Sequence, residues 1–316
     1  MSLFRLLKSL LSMHPHSESP IGAASATGQP VMDSCPGPAS AYLSTLLRVL
    51  AVNGYGLWML LGLALALGIY RDGRSEALVP LALGAAFVSA GLLVTCLRLP
   101  AMEHWHGWRP GQRSWPTSEA LLAMSTYLPM LAVAGLARGD NDFWATRLAG
   151  AALLLCSLAT LAYAVRGYRN RLADGMQRHL AQLPASRVVS AWYSGGLWLW
   201  LCMATQESGA HPAGTRPWIM ALLLLALLLG LIEGMRWQSL HGPEARNIEG
   251  RARRCRPARY VAAVFTYAIP SVLLLLVDLF DAGPLLIGVA AVSCLLGRTI
   301  EQRSYEIVLI GPGSPH

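Results

Sequence analysis

The sequence predicts an all-α integral membrane protein, an eight-span transmembrane helix bundle with short loops. Three observations predict it. The 316 residues are 54% hydrophobic and only 13% charged, where a soluble domain carries about 25% charged residues. Eight apolar stretches run over 46–70, 77–97, 117–137, 143–165, 188–205, 217–236, 259–278 and 283–300. Each approaches the roughly 20 residues that a helix rising about 1.5 Å per residue needs to cross a core of about 30 Å. Finally, the basic residues alternate by loop. The amino tail, the second, fourth and sixth loops and the carboxyl tail hold 20 of the 25 Lys and Arg. The odd loops hold only Arg71, Arg74, Arg138, Arg147 and Arg216. Positive charge resists translocation, so the pattern predicts a multi-pass membrane protein with both termini cytoplasmic.

In chain order, residues 1–13 (MSLFRLLKSLLSM) set Leu3, Phe4, Leu6, Leu7, Leu10 and Leu11 around one face, with Arg5 and Lys8 elsewhere. They read as an amphipathic interfacial helix. Residues 14–40 are rich in Pro, Ser, Gly and Ala and read as a disordered tail. The anchor domain follows over 41–303, and 304–316 form a C-terminal tail. The first, third and seventh connections are short, which makes neighbouring helices antiparallel. The fourth loop, about 166–187, contains RGYRNRLADGMQRHL, a candidate surface helix. The sixth, HGPEARNIEGRARRCRPAR, is the densest basic segment and reads as a topogenic, lipid-facing or partner-facing surface.

Several chemistries are excluded. The net charge of +8 sits beside helix ends, so it indicates membrane lipid or a partner, not nucleic acid. The six cysteines form no C-x-x-C pair, and four lie within or at the edge of apolar stretches, as small hydrophobes do. All eight histidines fall in tails or loops, so no axial pair is available to a haem inside the bundle. Ionisable residues within the spans are few. Glu233 and Asp278 lie near span ends, within reach of the interface.

The second loop is richer. Residues 98–119 read RLPAMEHWHGWRPGQRSWPTSE. Three tryptophans there form an aromatic belt or the walls of an interfacial pocket for an amphiphile such as a quinone. Oxidising a quinol releases protons, so a carboxylate or imidazole must bond the ring oxygens. Glu119 is the candidate proton acceptor. His104 and His106 are the candidates to bond the ring, Trp105, Trp108 and Trp115 to flank it, and Arg109 and Arg113 to tune the carboxylate or meet a partner.

Ser114-Trp115-Pro116-Thr117-Ser118-Glu119 is similar to the Ser-Trp-Leu-Ser-Arg-Glu motif of membrane-anchor subunits of the dimethyl sulfoxide reductase type. Cys96-Leu97-Arg98-Leu99-Pro100 occupies the place of that family's His-Leu-Gly-x-Pro motif, with Cys96 where the family has histidine. Ala191-Trp192-Tyr193-Ser194 at the opening of the fifth span, Tyr267-Ala268-Ile269-Pro270 within the seventh and Leu296-Gly297-Arg298 closing the eighth extend the resemblance over most of 46–303. The resemblance implies a quinone-interacting anchor in a heterotrimer, beside a four-cluster iron–sulfur subunit and a molybdopterin catalytic subunit. It implies no cofactor held by this chain's own ligands, an exchangeable quinone or menaquinone, and no catalysis beyond quinol oxidation. A polytopic transporter or permease, using Glu233 and Asp278, and a structural anchor with a degenerate site stand as alternatives.

Overall fold

The computed structural model describes residues 38–69, 76–97, 118–136, 144–170, 183–206, 215–239, 256–280 and 283–310. All belong to one compact unit, Pro36–His316. The expected interfacial helix at 1–13 and most of the expected tail at 14–40 lie outside the described residues. The described residues are helical and contain no strand.

The helices are α1 (Pro38–Ala66), α2 (Leu78–Leu97), α3 (Ser118–Ser125), α4 (Tyr127–Leu136), α5 (Trp144–Asn170), α6 (Leu183–Gln206) and α7 (Thr215–Ser239). After them come α8 (Arg256–Ala263), a π-helical turn (Val264–Ala268), α9 (Ile269–Phe280) and α10 (Pro284–Ile310). Each expected stretch therefore falls on helix. Five helical segments are long and apolar enough to cross a membrane: Tyr42–Ala66, Trp144–Ala164, Arg216–Met235, Pro257–Phe280 and Pro284–Tyr305. Leu78–Leu92 and Leu121–Leu136 are shorter apolar helices. Large apolar side chains on α7, such as Met220, Leu224, Leu227 and Leu231, stand exposed, as do Leu128, Leu131, Leu148 and Leu279 elsewhere. Water would tolerate that much exposed apolar surface badly, whereas lipid tails solvate it. The length, apolarity and exposure of these helices indicate a multi-pass membrane protein.

Helix boundaries follow local chemistry. Proline stands in the first turn of α1, α8 and α10, where its missing N–H costs nothing. At the end of α1, Gly68 adopts φ +68°. Its N–H bonds Leu65 O at 3.1 Å and that of Ile69 bonds Ala64 O at 3.0 Å, a Schellman closure. Pro129 lies three residues into α4 and interrupts the third stretch, where Thr126 is a turn between α3 and α4. Thr126 Oγ1 turns back to donate to Ala123 O at 2.6 Å.

The seventh stretch is opened in the same way. Pro270 has no N–H to give Thr266 O, four residues earlier, and the chain there widens to a π turn in which Ile269 N–H bonds Val264 O. Side chains take up the released carbonyls. Tyr193 donates its hydroxyl to Thr266 O at 3.2 Å, and Ser293 Oγ donates to Phe265 O at 2.8 Å. The Tyr267–Pro270 segment is thus a shaped interruption pinned by α6 and α10.

Two apolar cores share α6. One gathers Leu57, Trp58, Leu61, Val88, Val133 and Leu153 from α1, α2, α4 and α5, with Ala191 and Leu199 of α6. The other joins Tyr193, Leu197 and Trp200 of α6 to Leu222, Leu274 and Ala290 of α7, α9 and α10. Between α1 and α6 the backbones touch: a Cβ on Gly56 would fall on the Ala191 carbonyl, and one on Gly195 on the Gly56–Leu57 peptide. Gly62 and Gly150 meet likewise between α1 and α5. Close approach through small residues is how helices gain dispersion contact where lipid removes the hydrophobic drive.

Some boundaries differ from the sequence reading. α10 continues to Ile310, past the expected end of the anchor at 303, and α1 begins at Pro38, inside the expected tail. Consequently Leu296-Gly297-Arg298 lies in the middle of α10 instead of closing it. Ala191-Trp192-Tyr193-Ser194 lies mid-helix in α6 instead of opening it, because Pro184–Arg187 is also helical.

Candidate functional site

The second loop falls largely outside the described residues, and with it His104, Trp105, His106, Trp108, Arg109, Arg113 and Trp115. Glu119 is in the first turn of α3, and Cys96 in the last turn of α2. The candidate surface helix of the fourth loop and the basic sixth loop are outside too, apart from the part of each that extends α5 or opens α6 and α8. Among the described residues no group of three His, Cys, Asp or Glu could hold a metal ion.

The described residues bring together a different polar site, from α6, α7 and α10. Glu233 of α7 is 4% exposed. Ser186 Oγ of α6 donates to its Oε1 at 2.6 Å. Arg298 Nη1 of α10 reaches the same Oε1 at 3.4 Å and Glu301 Oε2 at 2.6 Å. Glu301 is buried as well. The tight pair is therefore Arg298–Glu301, one turn apart on α10, while Glu233 shares the guanidinium at longer range. Half-buried Arg259 of α8 adds a second cation, its guanidinium 4.6 Å from the centre of the Trp237 ring. Trp237 in turn meets Tyr305 edge-on, with centroids 5.9 Å apart.

All four ionic residues belong to segments long and apolar enough to span: Glu233 to Arg216–Met235, Arg259 to Pro257–Phe280, and Arg298 and Glu301 to Pro284–Tyr305. Charges buried away from water cost several kcal/mol each unless they are paired, and these contacts supply that pairing. Glu233 lies near the end of its segment, as the sequence reading expects, and is buried there against the neighbouring helices. Asp278 is the more peripheral acid, 3.5 Å from an exposed Arg216.

Beside this group an apolar cleft opens between α7 and the seventh stretch. Leu223, Ala226, Leu227, Gly230, Leu231, Tyr267 and Ser271 line about 360 Å³ of space that is open on one side. Gly230 keeps it wide, since nothing lies within 4 Å of where its Cβ would be. The Tyr267 hydroxyl is buried and has no hydrogen-bond partner among the described residues. It sits within electrostatic reach of Glu233, Arg298 and Glu301. An apolar trough with a tyrosine in its wall suits an amphiphile with an apolar tail.

In the sequence Arg298 is only the last residue of a motif and Glu301 lies just past the eighth stretch, so neither is marked as a site residue. Their i,i+3 spacing, on a pattern that stays helical to Ile310, was the available signal. Tyr267 was quoted as a motif residue without a role. Compared with protein-family models, curated proteins and solved structures, the chain matches none.

Proposed function

We propose that the chain is the quinone-interacting membrane anchor of a multi-subunit molybdopterin/iron–sulfur oxidoreductase. It passes electrons between the quinone pool and a partner iron–sulfur subunit. In this reading all eight helical stretches span the bacterial inner membrane, with both termini and the basic loops cytoplasmic. The terminal chemistry belongs to the molybdopterin subunit, and the anchor contributes quinol oxidation at most.

The observation that carries the reading is an open-sided apolar cleft with Tyr267 in its wall, whose buried hydroxyl has no hydrogen-bond partner among the described residues. A quinone fits that combination: the hydroxyl bonds a ring oxygen and the isoprenoid tail follows Leu223–Leu231. The ordered motifs that resemble the dimethyl sulfoxide reductase anchors add support, and Tyr267-Ala268-Ile269-Pro270 is one of them. Glu119, on α3, is the second position where a quinol proton is expected to be taken, in the manner that the family motif implies.

Purification with the products of neighbouring genes tests the assembly: an iron–sulfur subunit and a molybdopterin subunit are expected to copurify. In lipid nanodiscs, a menaquinone analogue is expected to quench tryptophan fluorescence. Tyr267→Phe removes one hydrogen bond worth about 1 kcal/mol, so affinity should fall roughly fivefold. Unchanged affinity in that variant removes the ligand from this cleft. In the complex, Glu119→Gln is expected to leave assembly intact and slow quinol oxidation by roughly 10²-fold or more. Full turnover in that variant would remove Glu119 from the chemistry.

A further inference from the structure

Glu233 lines a polar cleft and lies within one turn of Gly230 and Leu231, which line the apolar one. The apolar one extends away from it along α7, over Leu223–Leu231. The other is small and polar, lined by Glu233, Trp237, Arg298, Glu301, Gln302 and Tyr305. Trp237 follows Glu233 towards the end of α7, while Gln302 and Tyr305 follow Arg298 towards the end of α10. The polar cleft therefore points to the end of the bundle that carries the 240–255 connection. A carboxylate that lines a polar space large enough for a water and lies one turn from an apolar cleft is positioned to exchange a proton with either.

Its partners are arranged for that exchange. Arg298 and Glu301, at 2.6 Å, compensate one another. The contact of Glu233 with Arg298 is longer, at 3.4 Å, and its close partner is the Ser186 hydroxyl at 2.6 Å. A hydroxyl donates to a carboxylate and accepts from a carboxylic acid by rotating its hydrogen, so this bond survives protonation of Glu233. The neutral form leaves an internally balanced Arg298–Glu301 pair. The ionised form draws on Arg259, the half-buried cation stacked on Trp237. Tyr267 and Cys294 are the other titratable groups within reach of Arg298.

We propose that Glu233 is a proton-exchanging carboxyl group, loaded through the polar cleft and held by Ser186 in both of its protonation states. The proton moves between water, or the hydroxyl of a ligand in the apolar cleft, and the Glu233 carboxylate, and no other bond changes. The use of that proton by a quinol rests on the functional reading above, but proton binding itself does not.

Infrared difference spectroscopy on the full chain in nanodiscs, without quinone, tests it. Stepping between about pH 5 and 9 should reveal a buried carboxylic acid C=O band that titrates and is missing in Glu233→Gln. Ser186→Ala, which keeps the carboxyl group, should move that band to higher wavenumber, because the acid loses a hydrogen bond. A titrating band that persists in Glu233→Gln, the absence of any titrating band, or a band unmoved by Ser186→Ala overturns the proposal. If the band titrates but a menaquinone analogue leaves it unchanged, the proton site stands and the quinone reading of the cleft falls.

Discussion

Replacing Gly56 with valine is expected to abolish the folded bundle. A Cβ there would overlap the Ala191 carbonyl, and α1 and α6 would have to separate. Backbone does not yield as a side chain tip does, and the crossing anchors the core formed by Leu57, Trp58 and Leu61. Overpacking of a site with no room to relax costs about 3 kcal/mol or more, which is a large fraction of typical net stability. In detergent, size-exclusion chromatography should show aggregate in place of a monodisperse peak. Gly230→Ala is the matched control, since its Cβ meets open space, and it should elute as the parent does. A monodisperse Gly56→Val protein with an unchanged melting midpoint would show that the α1–α6 crossing is looser than described.

The second large effect is expected for Arg298→Leu. Removing the guanidinium leaves Glu233 and Glu301 buried without their shared partner. Breaking a buried ion pair from one side costs about 3–5 kcal/mol, because the charge that stays buried loses its main compensation. Adding Glu301→Leu and Glu233→Gln to that variant removes both carboxylates that the guanidinium served and should return part of the loss, since replacing both sides of a buried ion pair is often neutral. Thermal unfolding of the single and triple variants measures both terms. Equal destabilisation in the two would mean that packing of the Arg298 side chain, not its charge, holds the three helices together.

The positions of the helices were legible because spanning segments announce themselves by length and apolarity, and each expected stretch from 46–70 to 283–300 coincides with helix. The ends were less legible. Pro184–Arg187 and the segment from Glu301 to Ile310 are polar enough to resemble loop, yet they are helical: Ser186 bonds Glu233 across on α7, and Arg298 bonds Glu301 one turn along α10 itself. The interruptions at Thr126 and Val264–Ala268 follow from Pro129 and Pro270, whose local effect was readable in kind, although its form as a turn or a π turn depends on what the neighbouring helices supply. The polar site was the least legible part. Glu233 and Arg298 are 65 residues apart, and no periodicity within one helix links α7 to α10. The candidate residues from His104 to Trp115 lie outside the described residues, so the loop reading stands beside the Tyr267 cleft as a separate expectation.

α6 is not among the segments apolar enough to qualify as spans by themselves, and it is the helix that both cores share. Its serines at 186, 190 and 194, its paired Gly195 and Gly196 and its three tryptophans suit a neighbour on every side more than they suit acyl chains. This carries a consequence for biogenesis. A segment of that composition gains little by entering lipid unaccompanied, but much by entering against α1, whose Gly56 surface accepts it without a gap. α1 leaves the ribosome well before α6. The order of synthesis thus lets the first helix serve as the solvent for the central one, and membrane insertion becomes part of folding instead of a step that precedes it.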